Sequence, residues 1–107
     1  MSGMGFDMRK MMKEAQKMQA NLARAQEELR EMTVEGSAGG GAVRIVVTGD
    51  VEIRSVQIED GVIDPEDREG LEDLILAAVN DGVRKAKDMA NQRMAKLTGG
   101  VLPPGLA

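Results

Sequence analysis

Ten of the fourteen basic residues in this 107-residue chain fall into two groups. Arg9, Lys10, Lys13, Lys17 and Arg24 form the first, and Arg84, Lys85, Lys87, Arg93 and Lys96 the second. Ammonium and guanidinium groups repeated at helical spacing have one chemistry open to them without a nucleophile nearby, which is charge-assisted contact with phosphates or carboxylates. At 100° per residue, Lys10, Lys13, Lys17 and Arg24 lie within about 60° of one another and form a stripe. A charged stripe on a helix is most often only a solvated face. Against that, Arg9 and Lys10 sit in the first turns, where the helix dipole disfavours cations, and Glu28 and Glu31 sit in the last, where it disfavours anions. Each such placement costs a few tenths of a kcal/mol, roughly, so local stability alone argues for the reverse order. The second group points in several directions and suits the negative end of its helix, so the solvated-face reading is stronger there.

Other chemistries are excluded by composition. The chain has no His, Cys, Trp or Tyr, and Phe6 is its one aromatic residue. That removes the usual general base near neutral pH, the commonest metal ligands and the platforms on which unpaired bases stack. Carboxylates are abundant, but they lie on helix faces with no nucleophile paired to a base. We therefore expect no enzyme, no cofactor, no metal site and no small-molecule substrate. Gly39, Gly40 and Gly41 lack the following helix and the Lys-Ser or Lys-Thr pair of a phosphate loop, and read as a hairpin connection. The net charge of -4 conceals an asymmetry: residues 63–83 carry one basic and seven acidic residues, and residues 84–107 carry five and one.

The length allows one domain with one modest core, spanning 1–107 with flexible tails at 1–5 and 99–107. Met1 to Phe6 is too short and Gly-rich for a signal peptide, and no apolar run approaches a membrane span. A soluble cytoplasmic protein without a membrane partner is expected.

The elements that must position the two basic groups are legible as patterns. From Asp7 to Met32, Met8, Met11, Ala15, Met18, Leu22, Ala25, Leu29 and Met32 recur at alternating steps of three and four. That is the 3.5 period of a helix lying along another helix, opposite the basic stripe. At 1.5 Å per residue it spans roughly 40 Å, so part of it is expected to project from so small a body. Three strands follow: Thr33 to Ser37, then Val43, Ile45 and Val47 alternating with polar residues, then Val51 to Ile58 with a phase slip near Arg54 and Ser55 that predicts a bulge. The free edges of this meander need cover, which a second copy would supply. Met11, Ala15, Met18, Leu22, Val43, Ile45 and Val47 are the candidates for a dimer or helix seam. Asp64-Pro65-Glu66-Asp67 predicts a helix capped by Asp64, with Leu71, Leu74, Ile75, Ala78, Val79, Gly82 and Ala86 as a face broad enough to lie on a sheet. Gly99-Gly100 ends it. The class is α+β: long helix, three-stranded antiparallel meander, long helix.

This order, the stretch from Leu71 to Ala86 (LEDLILAAVNDGVRKA), the KEAQKMQ run from Lys13 to Gln19 and the Leu102-Pro103-Pro104-Gly105 tail resemble the YbaB/EbfC family of bacterial nucleoid-associated proteins. Gly82 stands where Ala is expected and is expected to loosen its helix. The resemblance implies a homodimer with joined sheets whose projecting helices hold double-stranded DNA, located in the nucleoid, without catalysis. It does not mark individual DNA-contacting residues, which rest on the charge reading. The competing reading is a chaperone-like or other protein-interaction module whose Met-lined helices grip apolar partners; exposure of the seam discriminates between them.

Overall fold

The computed structural model of the protein describes residues 7–99, so the expectations for the first residues, for Phe6 and for the LPPG tail lie outside the described residues. Its elements follow in the order α1 (Met8–Glu31), β1 (Thr33–Ala38), β2 (Val43–Thr48), β3 (Ile53–Ile58), a single 3-10 turn (Asp60–Val62) and α2 (Arg68–Leu97). The strands form an antiparallel meander in the order β1-β2-β3. β2 pairs with β3 through Val46–Ser55 and then Val47–Ile53, which leaves Arg54 as the extra residue of a bulge where the phase slips.

Alternation along β2 turns Val43, Ile45 and Val47 to one face, where all three are fully buried. α2 covers that face over β1 and β2 with Ala78 and Ala86, flanked by Leu71, Leu74, Ile75 and Val79. These three β2 residues are thus core beneath a helix of their own chain and have nothing to offer a second copy. Along β1, α2 is met in descending order: Lys85 beside Glu35, Gly82 beside Gly36, Asp81 beside Ser37, Leu74 beside Gly39. The helix therefore begins at the hairpin end of the sheet and returns past the end of α1.

α2 starts one turn later than the Asp-Pro pair suggests. Asp64-Pro65-Glu66-Asp67 closes instead as a turn, with the Asp67 N–H donating to the Asp64 carbonyl (2.9 Å) and the Glu66 N–H to the Asp64 carboxylate (2.9 Å). Asp67 then takes over the cap, accepting from the Gly70 N–H at 3.1 Å. Both acids are competent caps, and the closed turn selects the second. Gly82 does not loosen the helix either. A methyl there would sit 2.8 Å from Cγ2 of fully buried Val47 and 3.4 Å from the Gly36 backbone, so the glycine is what allows close contact between helix and strand.

α1 is anchored only at its last turns. Ala25 and Leu29 are buried, and the Gly49 N–H donates to the carbonyls of Leu29 (2.8 Å) and Met32 (3.0 Å). Upstream, every residue from Met8 to Ala20 is exposed. The described chain is accordingly a rod of 80 × 22 × 16 Å, with α1 as its projecting arm.

Candidate nucleic-acid interface

Asp7 starts the arm by accepting from the backbone N–H groups of Arg9 (3.0 Å) and Lys10 (3.4 Å), which satisfies two donors that a helix N-terminus leaves open. Lys10, Lys13 and Lys17 follow at steps of three and four residues, about 4.5 and 6 Å along the axis. With Arg9 they are exposed, and none has an ion-pair partner among the described residues. Arg24 continues the stripe but borders an open depression shared with Glu27, Glu28, Arg30 and Glu31, so its field is offset by neighbouring acids. The positive potential of α1 is concentrated in its free half.

The second basic group divides. Arg84 Nη2 lies 2.7 Å and Lys85 Nζ 3.0 Å from the Asp81 carboxylate, and Lys85 also donates to the Glu35 carbonyl at 3.1 Å. Arg93 pairs with Glu28 across the two helices, and its buried Nε has no partner among the described residues. Only Lys87 and Lys96 of this group are exposed without an ion pair among the described residues. Sequence reasoning did not find these ties, because Glu28–Arg93 and Ser37–Asp81 join residues 65 and 44 positions apart.

The hydrogen bond from the Ser37 backbone N–H, then Lys85, hold the Asp81 carboxyl below its ordinary value of 3.8. A carboxyl depressed by folding stabilises the fold fully above its unfolded pKa, and this contribution fades as pH falls through the lower folded value. Asp81→Asn is therefore expected to destabilise the protein at neutral pH and to converge on the parent below about pH 3. Urea unfolding at both pH values reads this; an equal deficit at each would rule out the charge of Asp81 as the cause.

The acidic segment that must face away from any duplex does so. Residues from Asp64 to Asp73 lie at the hairpin end of the sheet, and Arg9 to Lys17 lie on the arm leaving its other end. The seam opposite the stripe is closed at Ala25 and Leu29 and open at Met8, Met11 and Met18, with Met11 52 % exposed. Ala15 is exposed and Leu22 half-buried. Among the described residues there is no cluster of three metal-ligating side chains and no helix long and apolar enough to cross a membrane.

Comparison with known proteins gives this geometry its context. The profile of the YbaB/EbfC DNA-binding family matches residues 4–101. A nucleoid-associated protein of Pelotomaculum thermopropionicum is 54 % identical over 96 % of this chain and 98 % of its own, and one of Ruminiclostridium cellulolyticum is 50 % identical over 92 % and 86 %. Among solved structures, an uncharacterized protein from Helicobacter pylori superposes with a TM-score of 0.77 over 88 % of this chain and 99 % of its own, at 21 % identity, and so shares the fold.

Proposed function

The chain belongs to the YbaB/EbfC DNA-binding family, a family of DNA-binding proteins and not of enzymes, and from that premise we propose that it binds double-stranded DNA of the bacterial nucleoid through phosphate contacts made by its projecting arms. The observation that carries the reading is the free half of α1, where Arg9, Lys10, Lys13 and Lys17 stand exposed and unneutralised. A helix held at one end and bare along thirteen residues gains nothing for the fold from this charge, whereas a polyanion laid along it releases counterions. The working unit is a homodimer with joined sheets, which doubles the arms and covers the sheet edge left open in one copy. Recognition is by backbone and shape: no recognition-helix motif is present, and Lys supplies charge more than base readout.

A fluorescent duplex titrated with the protein at several salt concentrations tests this. With about five phosphates neutralised, log K falls against log salt with a slope of roughly -4 to -5. Absence of binding at low salt would overturn the proposal. The open Met8, Met11 and Met18 favour one other use of the same arms, as holders of apolar protein surfaces, and binding to such a client with no duplex affinity would select it.

Within α2 the proposal distinguishes free from engaged cations. Replacing Lys87 and Lys96 by Ala is expected to weaken binding about eightfold per lost contact at about 0.1 M salt and to leave stability unchanged. Arg93→Ala is expected to lower stability by less than about 1 kcal/mol, since both partners of its ion pair are more than a third exposed. Denaturant unfolding beside the titration separates the two effects.

A further inference from the structure

The two edges of the sheet are finished differently. On β1 the Ser37 N–H is taken by the Asp81 carboxylate at 3.0 Å and the Glu35 carbonyl by Lys85 at 3.1 Å. The backbone groups of residues 35 and 37 therefore point away from β2, and side chains of α2 occupy them. A strand adding here has to break both bonds and pass α2, which lies against the β1 backbone at Gly36.

β3 is the reverse case. It pairs with β2 through Ser55 and Gln57, and the Glu59 N–H donates to the Ala42 carbonyl at 2.8 Å. Alternation of the ladder then turns the N–H and C=O groups of Val56 and Ile58 outward, where no turn or side chain caps them among the described residues. The side chains show the same incompleteness. Val56 and Ile53 share the core face with Ile45 and Val47, their partners on β2, yet they are 51 % and 45 % exposed because α2 packs on β1 and β2.

We infer that β3 is the strand through which two copies join, antiparallel about a two-fold axis at Val56, so that the sheet runs on through six strands; this rests on the homodimer reading above. The edge is self-complementary at that register. Val56 meets the partner's Val56, and Arg54 lies opposite the partner's Ile58, beside the partner's Glu59 and Asp60, so opposite charges approach. An axis at Ile58 would instead crowd Glu59 and Asp60 of both copies together, and an axis at Arg54 would fall on the bulge. The pairing also fits arms that serve one duplex. Neighbouring strands twist by about 20–25°, so the five steps from β1 to the partner's β1 accumulate about 100–125°. Arms that would point oppositely from a flat sheet then diverge by only about 55–80° and tilt toward the same face.

The chain has no cysteine, so single replacements report the register directly. Cα atoms of a hydrogen-bonded antiparallel pair stand about 5.5 Å apart, within disulfide reach. Val56→Cys is expected to form a disulfide-linked dimer with oxidised glutathione, and Ser37→Cys on the closed edge to remain unlinked. Val56→Pro removes only an outward N–H, so it is expected to sediment as a monomer with its helical circular dichroism retained. If the parent sediments as a dimer while Val56→Pro stays dimeric and Val56→Cys stays unlinked, or if Ser37→Cys links, β3 is not the joining strand and the homodimer stands without it. If the parent itself sediments as a monomer, the homodimer reading falls and this inference with it.

Discussion

Replacing Lys10, Lys13 and Lys17 by Ala is expected to lower duplex affinity about 500-fold at about 0.1 M salt and to flatten the salt slope by about 2.7 for each arm that contacts the duplex. The magnitude follows from counterion release: each lost phosphate contact removes about 0.9 from the slope, which is about eightfold in affinity at that salt concentration. The structure makes the variant clean. The three side chains project from a part of α1 in which every residue is exposed, so no packing is lost. Ala is at least as good a helix former as Lys, so the arm itself is kept. Circular dichroism and unfolding midpoint should match the parent, while a Lys→Arg version of the same triple keeps the charge and should keep the slope. A triple Ala variant that binds with the parental slope would remove the free half of α1 from the interface. Binding would then have to rest on Lys87, Lys96 and the end of α2.

The arm was readable from sequence because both of its signals are local and periodic. The 3.5 period from Met8 to Met32 and the cations opposed to the dipole need only neighbouring residues, and the helix runs from Met8 to Glu31 as they predict. The three strands and the bulge at Arg54 were legible for the same reason, since a change of parity is written in the alternation itself. Contacts between distant elements were not readable. Arg84, Lys85 and Arg93 look like free cations in the sequence, yet Asp81 and Glu28 engage them once α2 folds back along β1 and α1. Val43, Ile45 and Val47 have the same apolar pattern whether a helix of their own chain or a second copy covers them, and only the crossing of α2 decides. The start of α2 was misplaced by one turn because Asp64 and Asp67 are chemically equivalent caps. Gly82 was misread because its reason lies across the sheet at Gly36.

That glycine pair carries the second large effect. Gly36→Ala is expected to destabilise the protein by about 3 kcal/mol or more, at the upper end of the usual range for overpacking. The added methyl would fall on the backbone of Ala78 and Gly82, reaching 2.5 Å from Gly82 Cα. Backbone atoms in a helix cannot step aside as the end of a side chain can, so α2 has to lift from β1. Lifting it separates Ala78 and Ala86 from Val43, Ile45 and Val47, and pulls Asp81 and Lys85 away from the β1 edge. Gly82→Ala should be milder. The helix gains about 1 kcal/mol in propensity, which offsets part of an overpacking cost of about 1–3 kcal/mol against Val47. Urea unfolding of the two variants should therefore rank Gly36→Ala well below Gly82→Ala, with the parent most stable. A Gly36→Ala protein as stable as the parent would mean that α2 does not ride on the β1 backbone. The closed β1 edge, on which the choice of β3 as the joining strand depends, would lose its basis as well.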